Sequence, residues 1–106
     1  MHEKNVRDDE LAEEFFRVER DAYVTVILVR MIGWDGPAHP FSIWVIGTSV
    51  VASAGPRQIE SAIRKLLGSK RFFRVCEECG ERNPLGHMHD RKICQGCAER
   101  NHGVVH

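Results

Sequence analysis

The only cysteines in this 106-residue chain occur as Cys76-Glu77-Glu78-Cys79 and Cys94-Gln95-Gly96-Cys97, with 14 residues between the pairs. Each pair fits a tight turn that aims two sulfurs at one point, and the polar segment between them is long enough for a short hairpin. Thiolates in this spacing predict a tetrahedral site of Cys76, Cys79, Cys94 and Cys97 holding one Zn2+. Rubredoxin-type iron takes the same ligands, and zinc is the expected metal. Catalytic zinc keeps one position open for water, whereas four thiolates close the shell, so the ion is expected to fasten the chain and catalyse nothing. Its binding energy would replace a core that some thirty residues cannot build.

Other cysteine chemistries fit less well. The opening Met1-His2-Glu3-Lys4-Asn5-Val6-Arg7 carries no apolar signal core, so an exported disulfide framework is not expected. A thioredoxin-like C-x-x-C opens a helix after a buried strand, which two copies framing a polar loop do not do. Zinc deaminases require H-x-E followed by P-C-x-x-C, and that pairing is not in the chain.

Three further groups could do chemistry. His87-Met88-His89-Asp90 lies between the cysteine pairs and Asn101-His102 follows them. Lys65, Lys70, Arg71 and Arg74 interleave with Phe72 and Phe73, and Arg82, Arg91, Lys92 and Arg100 add charge further on, a pattern that would suit nucleic acid if the rings were exposed. Packed inside, those rings would leave only a modest basic patch, diluted by Glu77, Glu78 and Glu81. Trp34, His39 and Trp44 flank a loop and could line a groove, although tryptophans beside a hairpin usually pack on a neighbouring element. Neither a G-x-x-x-x-G-K-[ST] phosphate loop nor a G-x-S-x-G elbow occurs.

The elements that must position these residues follow from periodicity. Leu11, Ala12, Phe15, Phe16 and Val18 recur at helical spacing behind Asp8 and Asp9, either of which can cap, and predict an amphipathic helix. Residues 22–32, apolar at both parities and rich in β-branched types, predict a strand covered on both faces. Gly33 to Pro40 is loop chemistry, and residues 41–51 predict a second, antiparallel strand with a bulge at Gly47. Pro56 opens a helix whose stripe is Ile59, Ala62, Ile63, Leu66 and Leu67, capped at Gly68. Phe72 or Phe73 then forms a third strand or plugs the junction. The expected fold is α+β: a small antiparallel sheet flanked by helices (α-β-β-α-β) over residues 1–75, with a treble-clef or ribbon-like zinc module over residues 76–106 packed on it.

Composition bounds the function. Fifteen basic and fifteen acidic residues cancel, so there is no global field to attract nucleic acid or an anionic membrane. The charges are nonetheless uneven: residues 1–20 hold four basic and seven acidic side chains, residues 57–106 ten and six. That asymmetry predicts intramolecular pairing or a weakly basic working end. The apolar runs 23–29 and 41–54 fall short of the roughly 18 residues of a spanning helix. A cytoplasmic protein with a protein partner is the leading expectation, with nucleic acid as the alternative.

Cys-x-x-Cys-Gly followed by Arg-x-x-Cys-x-x-Cys and a polar helical tail resembles the finger of the DksA/TraR family, whose members bind RNA polymerase, over residues 76–100. The spacer here is shorter and no coiled coil with an acidic tip precedes it, so the resemblance implies the finger alone. The hairpin is also similar to that of HNH-type treble-clef nucleases. That second resemblance implies His89 as general base with Asp90 and His102 as ligands of a divalent ion, although the usual Asp-His order is reversed in His89-Asp90.

Overall fold

The computed structural model describes residues 6–36 and 39–104. The chain begins with helix α1 (Val6–Glu14), followed by strands β1 (Phe16–Arg20), β2 (Val24–Trp34) and β3 (Pro40–Val51) and by helix α2 (Pro56–Leu67). A short strand pair, β4 (Phe73–Val75) and β5 (Arg82–Pro84), a 3-10 turn (Leu85–His87) and helix α3 (Gln95–His102) complete it. This is the expected α+β class, with more strands than the sequence suggested. Among the described residues no helix is long and apolar enough to cross a membrane.

The largest departure from expectation is the first helix. It stops at Glu14, and Phe16 to Arg20 pair antiparallel with β2, Phe16 opposite Val29 and Arg20 opposite Thr25. Five successive residues that fit a helical stripe equally fit a strand, and the free edge of β2 decides between them by supplying backbone partners. Asp8 and Asp9 lie within the first turn of α1 and do not cap it. The residues before Val6, with 37–38 of the expected loop and 105–106, fall outside the described ones.

β2 is the central strand of the order β1-β2-β3. Its register with β3 shifts between Ile27 and Leu28, where Ile27 faces Thr48 and Leu28 faces Ile46, leaving Gly47 as the bulge. A Cβ at Gly47 would stand 2.7 Å from Val29 Cγ2 and 2.9 Å from Leu66 Cδ1, so glycine lets α2 lie close on the sheet. Leu11, Phe15, Phe16, Ile27, Val29, Leu66, Leu67, Phe72 and Phe73 form one buried cluster on that side. The other face, with Val24, Val26 and Leu28, is only half-buried. The expectation that β2 is covered on both faces therefore holds for one face: the helices α1 and α2 share a side.

Phe73 joins the two halves. Its ring stacks on Phe16 at 5.8 Å and meets Phe15 edge-on at 6.2 Å, while β4 pairs with β5 instead of extending the large sheet. Both Phe72 and Phe73 are buried, so they plug the junction, as one reading of the sequence had it. The uneven charges also pair within the chain: Asp8 with Arg82 at 2.7 Å and Asp9 with Arg64 at 2.5 Å. At the other end of the junction, the Gly86 carbonyl accepts hydrogen bonds from Trp34 Nε1 (2.7 Å) and Gln95 Nε2 (3.3 Å).

A Cβ at Gly86 would fall 2.5 Å from the Ile32 backbone oxygen, which cannot move without distorting β2. Gly86→Ala is therefore expected to lower the stability of the chain by about 1–3 kcal/mol, as other overpacked substitutions do. Urea denaturation of the two proteins measures it.

Candidate metal centre

Local structure brings the four sulfurs together in steps. After β4, the chain turns through Cys76-Glu77-Glu78-Cys79-Gly80, with Gly80 at φ +73, a left-handed conformation in which a side chain would be strained. The Gly80 amide donates to the Cys76 carbonyl (2.9 Å), and the Cys76 amide to the Glu81 carbonyl (2.9 Å), closing the turn between β4 and β5. The chain then folds back through the 3-10 turn to a bridge between Met88 and Cys94. Cys94 precedes the first turn of α3 and Cys97 lies within it, so the helix start presents both sulfurs to the knuckle. Gly103 ends α3 in the left-handed conformation, φ +65.

All four Sγ atoms lie within 4.8 Å of one another. Cys76 and Cys97 are 3.7 Å apart and Cys79 and Cys94 3.9 Å. A tetrahedron of sulfurs at Zn–S distances near 2.3 Å has edges of about 3.8 Å, whereas a disulfide needs about 2.05 Å. The donor set thus fits a metal and no disulfide. Cys76, Cys94 and Cys97 are buried, with Met88 and Ile93 around them, and Cys79 is exposed.

The surroundings favour thiolates unequally. Burial pushes the Cys76 thiol up, but the amides of Cys79 and Cys94, 3.5 and 3.4 Å from its sulfur, outweigh that and bring it down to about 6. At Cys97, burial and the neighbouring thiols push the value up to about 12. Four sulfurs this close cannot all ionise against one another, and a divalent cation is what would let them do so. Arg100 also donates to the Cys97 sulfur at 3.5 Å.

The histidines and carboxylates of the hairpin do not gather. Asp90 accepts from the amides of Lys92 (2.7 Å) and Ile93 (2.9 Å), a turn-closing role that holds its carboxyl below the usual range. His102 Nε2 lies 2.6 Å from Glu78 Oε1, and Asn101 Nδ2 donates to Glu78 Oε2 at 2.9 Å, strapping α3 to the knuckle. His87 is half-buried with its ring edge-on to Phe15. Among the described residues, the only cluster of three or more His, Cys, Asp or Glu able to hold an ion is the four cysteines. The tryptophans part as well: Trp34 reaches Gly86, whereas Trp44 lies under the Arg17 guanidinium at 4.9 Å.

Sequence reasoning missed Gly86, Gln95 and the Glu78–His102 strap. Gly86 had no local signal, because its close approach to Ile32 is a contact between distant segments. The chain was compared with protein families, curated proteins and solved structures, and none of the three gives a match.

Burial lowers the pKa of His87 and the positive charge of Arg7 lowers it further; Glu14 opposes this in part, and Arg30 adds a smaller lowering. The folded chain therefore keeps this imidazole neutral where the unfolded chain takes up a proton, near pH 6.5. Its contribution to stability is whole above that pH and declines as pH falls through it. His87→Gln is expected to flatten the difference in unfolding free energy between about pH 7 and about pH 5.5. Parallel urea titrations of both proteins at the two pH values read this out.

Proposed function

We propose that this chain is a non-enzymatic, zinc-bearing interaction protein. One structural Zn2+ on Cys76, Cys79, Cys94 and Cys97 fastens a treble-clef finger to the α+β body, and an exposed surface of that body binds another protein. The observation that carries this reading is the approach of four sulfurs to within 4.8 Å, with the Cys76–Cys97 and Cys79–Cys94 separations of 3.7 and 3.9 Å close to the edge of a closed tetrahedral shell. A knuckle between β4 and β5 followed by a pair at the start of α3 favours the treble clef, since a ribbon would set a second knuckle in place of the helix. Thiols kept reduced for a metal suit the cytoplasm.

Burial of Phe72 and Phe73 removes the stacking platform that a single-stranded nucleic acid would use. The exposed apolar side chains of β3 argue for a protein partner instead. The nuclease reading is disfavoured by the separate engagements of Asp90 and His102.

Native mass spectrometry with elemental analysis is expected to find one zinc per chain, lost in Cys76→Ser. Chelation should raise hydrogen exchange across residues 76–102 while β2 stays protected, because structural zinc supplies the folding energy of so small a module. A coloured, iron-loaded protein, or an unchanged exchange pattern after chelation, would overturn the zinc assignment. Nicking of supercoiled plasmid in Mg2+, Mn2+ or Ni2+ that disappears in His89→Ala would overturn the non-enzymatic one.

A further inference from the structure

The two edges of the large sheet are built differently. β1 offers five residues, Phe-Arg-Val-Glu-Arg, and its charges guard the edge in the usual way. β3 offers twelve, Pro-Phe-Ser-Ile-Trp-Val-Ile-Gly-Thr-Ser-Val-Val, with no charged side chain among them. Its register fixes which way these side chains point. Phe41 and Ile43 face Gly33 and Met31 on the helix side; Trp44, Ile46 and Val51 face Arg30, Leu28 and Val24 on the other. Yet Phe41, Ile43, Ile46 and Val51 are each at least half exposed, at 50, 54, 63 and 59%.

Apolar exposure on both faces of one strand has a particular geometric meaning. A helix or a second sheet laid on the molecule would cover one face only. A strand running alongside β3 touches both, and it also takes up the outward backbone donors and acceptors of the edge. We propose that β3 pairs antiparallel with β3 of a second copy of this chain, about a two-fold axis normal to the sheet, to make a continuous six-stranded sheet.

The choice of a second copy rests on three observations. An uncharged edge brings no like charges together when it meets itself, and it offers no charge by which a charged peptide would be selected. The single chain is thin and spread, 50 × 40 × 17 Å, with a radius of gyration of 15.4 Å against about 13 Å for a compact chain of this length. Taking aromatic side chains at about 150–250 Å2, the exposed part of Phe41, Ile43, Trp44, Ile46 and Val51 comes to roughly 500 Å2. With the backbone edge added, this approaches the roughly 800 Å2 per partner of a standard interface, at the weak end of the range. The inference deepens the reading of a protein-binding surface and does not depend on the metal.

Sedimentation velocity of the zinc-loaded full chain from about 1 µM to about 300 µM is expected to show a monomer–dimer equilibrium with a dissociation constant in the micromolar range. Ile43→Lys and Ile46→Lys replace exposed side chains and should leave the circular dichroism and zinc content unchanged while weakening the dimer at least tenfold. With the two-fold axis at Ile43, near the middle of the segment 41–46, that residue alone lies opposite its own copy, so mixing Ile43→Lys with Ile43→Glu should restore association. Hydrogen exchange of wild type provides a readout that needs no variant: amides of residues 41–46 should gain protection as concentration rises. A wild-type monomer throughout, or a dimer that both lysine variants leave intact, overturns the pairing. Neither result bears on the zinc and nicking assays, which test the functional reading separately.

Discussion

Convergence of four sulfurs on one point is the constraint from which the C-terminal third takes its shape. Residues 76–104 contain few apolar side chains, and their buried cluster is little more than the cysteines, Met88 and Ile93. So small a cluster cannot hold a knuckle, a folded-back hairpin and a two-turn helix in register by hydrophobic burial alone. Each of those elements instead carries one or two of the four converging cysteines: the turn after β4 has Cys76 and Cys79, the Met88–Cys94 bridge has Cys94, and the first turn of α3 has Cys97. The strap from Glu78 to Asn101 and His102 closes the same ring from outside.

The body of the molecule is held by ordinary packing, and the two systems meet at aromatic side chains. Phe73 leaves α2 by a short tight connection and inserts between Phe15 and Phe16, which the turn from α1 into β1 has set side by side. The ion pairs from α1 to Arg82 and Arg64 fix the helix over that contact. The carbonyl of Gly86 receives Trp34 and Gln95, a second contact between the C-terminal segment and the end of β2. A segment clamped in this way cannot swing freely on the sheet.

Because α1 and α2 lie on one face, the sheet is half dressed. The helix face excludes water around Ile27, Val29 and Leu66, while the opposite face and the β3 edge keep apolar side chains in solvent. Exposed apolar surface at an unguarded edge is costly in a monomer and useful in an interface. This asymmetry is independent of the four-cysteine cluster, whose sulfurs lie in the other part of the chain.

The four-cysteine cluster, the β2–β3 hairpin, the Gly47 bulge and α2 were all legible in the amino-acid sequence, because each depends on spacing within a few residues: thiols in pairs, alternation along a strand, a 3–4 repeat between Pro56 and Gly68. What the chain alone left undecided were choices made by distant partners. Residues 16–20 became β1 because β2 had a free edge; β4 turned to β5 because the knuckle drew them together; Asp8 and Asp9 left the helix cap for Arg82 and Arg64. Gly86 and the engagements of His87, Asp90 and His102 belong to the same class. Local patterns fix the conformations a segment can adopt, but which one prevails, and what a polar side chain holds, depends on surfaces that exist only once the whole chain has closed.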